Sequence, residues 1–309
     1  MPRGCARLPA PSTLILMRPL VLVCALMTPL SAFAADPAYE ASPRKFREAR
    51  EAALRAEEGW LSVAGLFWLK EGVNRIGSAP GSDILLAAGA APAQVGVIRM
   101  QAGSAEFEPA PGASLTLDGQ PLRGRAALTP DGAGRQPSTI GAGRLKLLFI
   151  QRGERYAIRL RDPESDLRRK FAGCRWFPVN EAWRIQARFL PQPGGAKITL
   201  ETIVGNKETY DSAGFAVFEK DGKQYRLEAA RSGARLWFVF RDATSGKTTY
   251  AGARQLYTDL PKDGRLTLDF NQAINFPCAF NPWTTCPLPP PQNRLDLAIE
   301  AGEMDYKPR

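Results

Sequence analysis

Asp242, Lys247, Tyr250, Asp269 and Glu303 are the side chains best suited to proton transfer or nucleophilic attack, because this chain contains no histidine. Without imidazole, a Ser-His-Asp triad, a Cys-His pair and a His-based zinc site are all excluded. Acid–base work must then run on carboxylates or on a lysine whose pKa is lowered by its surroundings. Asp242, Lys247, Tyr250 and Glu303 form the candidate catalytic set of a hydrolase-like enzyme, with Asp269 as a further carboxylate. Spacing along the chain brings no two of them together, so a catalytic reading depends on the fold.

A second polar group suits binding. Asn271, Asn275, Asn281 and Asn293 surround a proline-rich stretch in which Phe276, Phe280 and Trp283 are interleaved. Aromatic faces stack on apolar ligand surfaces while amides fix orientation, as in sugar or peptide sites. The same amides could instead satisfy the backbone of a segment whose prolines cannot pair with themselves. Arg175, beside Trp176 and Phe177, suits an anionic ligand or a buried ion pair. These residues carry the expectation of a non-enzymatic binding protein for an envelope-associated carbohydrate, peptide or small ligand. A hydrolase-like enzyme and a purely structural envelope protein are the alternatives. Ser245-Gly246-Lys247-Thr248 has the ending of a phosphate-binding loop, but Arg241 stands where that loop needs glycine, so the segment is read as a turn.

Export sets the expected fate of the cysteines. From Met17 the chain runs through Arg18, an apolar stretch at 20–30, and Ser31-Ala32-Phe33-Ala34. This is a basic start, a short hydrophobic run and an A-x-A cleavage site. Residues 1–34 are therefore read as a signal peptide cleaved after Ala34, with Met17 as an alternative start, and the protein as periplasmic or secreted. Cys24 follows Val23 where a lipoprotein signal needs a small residue, so no lipid anchor is expected. The apolar run is too short to span a bilayer, and no later run is long enough. In an oxidising compartment Cys278 and Cys286, which bracket a turn-rich loop, are expected to pair and leave Cys174 free. Three thiolates on one metal is the weaker alternative, since no histidine could complete the site. Neither a metal nor a cofactor is expected.

The formal charge is +10, of which Arg3, Arg7 and Arg18 lie in the expected signal. Bases and acids are interspersed along the rest, so the expected partner is a small ligand or an envelope polymer and not nucleic acid.

With 28 glycines and 26 prolines, the composition suits many short strands joined by turns. The fold class expected is all-β: two packed β modules with one N-terminal amphipathic helix. That helix is placed at 42–59, with Ser42 as cap, Pro43 in its first turn and Gly59 at its end. Phe46, Ala49, Ala53 and Leu54 would face the core, with Arg47, Glu51 and Arg55 outside. Strands are expected at 61–69, 95–100, 145–150, 156–160, 216–219, 224–227, 236–240, 248–251 and 266–270, with alternating Leu295, Leu297 and Ile299 as a last strand. Gly153-Glu154 and Asp221-Gly222 are hairpin turns. The charged stretch 162–170 separates a module at 60–162 from one at 171–309, which ends in the proline-rich loop.

Two resemblances bear on this division. Asn74-Arg75-Ile76-Gly77-Ser78, followed by Ser82-Asp83-Ile84-Leu85-Leu86, resembles the opening of a forkhead-associated β-sandwich. In that family an arginine directly after the glycine binds phosphothreonine. Ser78 stands there instead, which implies the fold without phosphopeptide recognition. Over nearly the whole mature chain the sequence also resembles the family catalogued as domain of unknown function 1684. The residues that carry this are Gly59 to Leu69, Arg175-Trp176-Phe177-Pro178-Val179, Asp242 to Tyr250, Asp269-Phe270-Asn271, and the tail from Asn275 to Glu303. It implies no activity, because the family is named for having none.

Overall fold

Alternating apolar residues, interrupted by glycine- and aspartate-bearing reversals, fold the chain into three sheets and one long helix. The computed structural model describes residues 1, 4, 37–132 and 134–307. The expected signal peptide and its cleavage site therefore lie outside the described residues, apart from Met1 and Gly4. The described residues from 37 onward form one compact unit. Among the described residues no helix is long and apolar enough to cross a membrane.

The first two sheets enclose a shared core. A five-stranded sheet runs Ile84–Leu85, Gly72–Gly77, Gly96–Gln101, Ser104–Pro109, Ala126–Leu128. A six-stranded sheet runs Val63–Trp68, Arg155–Arg161, Leu145–Arg152, Thr139–Ala142, Thr116–Leu117, Gln120–Pro121. Ile76, Ile98 and Phe107 of the first meet Ile140, Leu147, Phe149 and Ile158 of the second. The strand Arg155–Arg161 then shows the period-two rule at work: Ile158 and Leu160 enter this core, so Arg159 between them points to the opposite face. The turn before it is the expected one. Gly153 takes φ +59, which a side chain resists, and Arg152 pairs with Arg155.

The third sheet has eight strands, ordered Arg265–Asp269, Arg184–Pro191, Lys207–Lys220, Lys223–Ser232, Arg235–Phe240, Arg254–Asp259, Ile274–Asn275, with Lys197–Glu201 beside Lys207–Lys220. Asp221 and Gly222, both at positive φ, close the hairpin between its two longest strands. This sheet is covered on both faces. Leu236, Phe238 and Phe240 pack into one core with Phe218 and Phe270, while Trp237 and Val239 pack into another with Ala230 and Phe276.

Several expected elements differ. The helix is Pro37–Arg55, so it begins before Ser42 and carries Pro43 inside. A tertiary anchor explains the early start: the Tyr39 hydroxyl donates to Asp269 Oδ1 at 2.8 Å, and the Arg184 guanidinium lies over its ring at 5.2 Å. The buried face is also not the expected one. Leu54 is buried and Phe46 half-buried, but Ala49 and Ala53 are exposed. Arg47 and Arg50 instead dock the helix, donating to the carbonyls of Phe177 and Asn275, and Glu51 accepts from the Cys174 N–H. Their long apolar stems cover surface that alanine cannot reach. The Arg55–Glu51 pair, at 3.0 Å, forms as expected.

The stretch 162–170 contains a short helix, Asp166–Arg169, capped by Ser165. Residues 248–251 are not a strand. They belong to a turn in which Thr244 O accepts from the N–H groups of Lys247, Thr248 and Thr249, so the Ser245 to Thr248 segment is a turn as expected. Leu295, Leu297 and Ile299 do pack on the sheet's core, but as an irregular strap held by single bonds, such as Leu295 N–H to Arg241 O.

Candidate ligand-binding site

The face of the third sheet that carries Trp237 looks onto the outward face of Arg159, and a cavity of about 270 Å3 lies between them. Strand alternation builds both walls. Trp237 and Tyr257 are directly paired across their strands with stacked rings 6.3 Å apart, and Gln255, two residues from Tyr257, accepts from Trp237 Nε1 at 2.9 Å. Phe276 meets Trp237 edge-on at 6.1 Å. From the other side come Trp60, Arg152 and Arg159, and the rim is closed by Thr284, Thr285 and Cys286 of the proline-rich loop.

The charges of this cavity are unequally satisfied. Arg152 Nη1 bonds both Asp131 oxygens at 3.0 and 2.9 Å, and its Nε donates to Thr285 at 3.0 Å. Glu208 lies 4.0 Å from Arg152 and accepts the Tyr210 hydroxyl at 2.5 Å. Arg159 is only 6% exposed, yet no acceptor among the described residues meets its guanidinium, and its Nε is fully enclosed. It lies 5.1 Å from the Trp60 ring, a cation–π contact that orients the group without receiving its N–H donors. Burial, aided by the nearby Arg152 charge, pulls its pKa down to about 10.

The expected catalytic groups are dispersed. Asp242 is enclosed in an ion pair with Arg254 at 2.8 Å, and its oxygens also accept from Thr244, Ser245 and the Ile299 N–H. Every lone pair it could offer a substrate is taken. Lys247 is exposed on the turn, and among the described residues no contact brings it to Asp242 or Glu303. Tyr250 is half-buried, and burial raises its pKa. Asp269 receives Tyr39 and caps the turn at Asn271. Glu303 is fully buried against the Asn275 N–H at 3.0 Å and Arg50 at 3.5 Å, and desolvation raises its pKa despite the arginine. Among the described residues no hydrogen bond or ion pair joins any two of these five side chains, although Asp242 and Glu303 both lie near Arg254.

The expected ligand-binding amides act on the main chain. Asn271 donates to the Tyr39 hydroxyl and the Asn180 carbonyl, and Asn275 to Met304 O. Asn281 reaches Trp60 O and Val63 O at 3.0 and 2.7 Å, and Asn293 binds Glu228 N–H, Glu228 O and Val239 O. All four are buried, and none lines the cavity. Their part is positional: Asn281 ties the proline-rich loop to the segment that presents Trp60. Trp283 and Arg175 are exposed, and Arg175 has no ion pair among the described residues.

Cys278 and Cys286 are bridged, with a Cα separation of 6.3 Å, and Cys174 is free. The bridge closes the loop that supplies the cavity rim. Sequence reasoning missed Trp60, Arg159, Glu208, Trp237, Gln255 and Tyr257 as a group. The available signal was Arg159 itself, a charge in the middle of a strand buried on both faces.

No curated protein matches the chain. Among solved structures, an uncharacterized protein of Haloarcula marismortui, determined by solution NMR, is 32% identical over 44% of this chain and 78% of its own, with a TM-score of 0.37. The family match is narrower than the resemblance read from the sequence, since it leaves out Gly59 to Leu69; residues 169–304 match the family described as Protein of unknown function (DUF1684).

Proposed function

We propose that this is an exported, non-enzymatic binding protein of the cell envelope whose small ligand occupies the cavity between Arg159 and Trp237. The observation that carries this reading is the cavity's composition: aromatic walls from Trp60, Trp237, Tyr257 and Phe276, with Gln255, Thr284 and Thr285 as polar groups able to fix orientation. Concave sites with apolar walls and few convergent polar groups are the usual form of small-ligand pockets, and they favour interfaces between packed layers. The disulfide supports an oxidising compartment, and the signal-like start at 1–34 supports export. For residues 60–162 the forkhead-associated resemblance remains part of the reading, without phosphopeptide recognition, since Ser78 donates to the Ala91 carbonyl.

The test is tryptophan fluorescence of the full chain titrated with envelope sugars, short peptides and small aromatic acids. A saturable change that is lost in Trp237→Leu, while the circular dichroism is kept, supports the site. No saturable change across all three classes sinks it.

A further inference from the structure

Resting on that reading, we infer that the ligand of this cavity carries a single carboxylate, received by the fork of Arg159. The first ground is Arg159's isolation. A guanidinium has five N–H donors and remains charged at any physiological pH. Removing it from water without acceptors is costly, and proteins normally place a carboxylate or carbonyl against such a group. Here none does, although Glu208, Asp131 and Thr285 all stand nearby and are joined to Arg152 or Tyr210 instead. Nε is enclosed, but the Nη groups, which keep some accessible surface, belong to a residue that lines an open cavity, so an incoming acceptor can reach them.

The second ground is the charge count. Arg152 is matched by Asp131 at 2.9 Å, with Glu208 as a second carboxylate beside it. These two arginines and two carboxylates already balance, so each charge on the ligand beyond the one that Arg159 holds is set against Glu208 and Asp131, which favours a monoanion over a dianion. A planar carboxylate also matches the planar fork with two parallel hydrogen bonds. The third ground is size. A cavity of about 270 Å3 falls near the lower end of the range of small-molecule pockets, which suits one ring and its acid group. The ring would lie among Trp237, Tyr257 and Phe276.

Calorimetric titration of the full chain with benzoate, benzamide and phenyl phosphate separates the possibilities, because the three share one ring and differ in the head group. The expected result is benzoate binding at least tenfold more tightly than benzamide or phenyl phosphate. Arg159→Gln should abolish the preference. Arg159→Lys keeps the charge without the fork and should retain only part of it. Thermal unfolding of both variants shows that they fold. Equal binding of benzoate and benzamide overturns the anion and leaves the pocket standing. Preference for phenyl phosphate overturns the carboxylate. A preference that survives in Arg159→Gln places the anion elsewhere and also overturns the inference. Failure of all three compounds to bind overturns the inference, while the pocket reading is then decided by the titrations with sugars and peptides.

Discussion

Arg254 and Arg159 each sit in a strand that is closed off from solvent, 1% and 6% exposed, but their surroundings are opposite. Arg254 bonds Asp242 and the carbonyls of Ala301 and Ile299. Arg159 bonds nothing among the described residues. A buried charge can be kept by building its partners into the fold or by leaving their place to a ligand; Arg254 is an instance of the first, and the proposed reading makes Arg159 an instance of the second. The first arrangement ties the irregular C-terminal strap to the sheet. The second stands at a cavity wall, where an unmet donor set can select what enters. Burial alone therefore does not distinguish the two arginines; the count of acceptors does.

The largest effect should come from breaking the satisfied pair. Asp242→Ala leaves Arg254 buried and alone, and removing one partner of such a pair costs about 3–5 kcal/mol. Arg159→Gln removes a charge that already lacks a partner, so its urea unfolding midpoint should equal or exceed that of the unaltered protein. Equal losses for both variants would erase the contrast between the two arginines.

Next in size is the disulfide. Cys278 and Cys286 are 8 residues apart, and the chain-entropy account of so short a loop gives about 2.5 kcal/mol. The Cys278→Ser/Cys286→Ser variant should lose that much in urea unfolding and should also weaken ligand binding, because Thr284 and Thr285 form the rim. A loss of stability with binding untouched would detach the loop from the site.

Asn281→Ala should cost about 2 kcal/mol, since it strips the Trp60 and Val63 carbonyls of a buried donor. Its more telling effect is a change in the fluorescence of Trp60, read in a background with the other tryptophans replaced. An unmoved signal would mean that the loop does not position that wall.

The smallest effect concerns pH. Burial raises the folded-state pKa of Glu303 above its ordinary 4.5. Its contribution to stability is therefore fully present below that value and is lost as pH rises through the higher folded pKa. Glu303→Gln, neutral throughout, should have a melting temperature that falls less between pH 4 and pH 7 than that of the unaltered chain. A steeper fall in the variant would show that Arg50 holds Glu303 charged more strongly than burial opposes it.

Local chemistry made much of the fold legible. Asp221-Gly222 and Gly153 announce their hairpins because few residues accept positive φ, and alternating runs such as Leu236 to Phe240 can bury their side chains only as strands. The Cys278–Cys286 pair was legible for the same local reason, an eight-residue separation across a turn-rich loop. The helix start was not, because Tyr39 is drawn in by Asp269, which is 230 residues away. For the asparagines the sequence left two roles open, ligand contact and support of the backbone, and the hydrogen bonds they make are largely to the main chain. Sequence shows that Asn281 can donate, but only the packed chain shows that Trp60 and Val63 take both hydrogens.

The sequence by itself determined an all-β chain with a long N-terminal helix, its principal turns, its disulfide, and the exclusion of histidine chemistry, all of which follow from residue type and near-neighbour spacing. Tertiary structure alone decided the site. Arg152, Arg159, Glu208, Trp237, Tyr257 and Thr285 come from five separate stretches of chain, and whether a buried charge finds an acceptor depends on which strands face each other across 270 Å3 of open space.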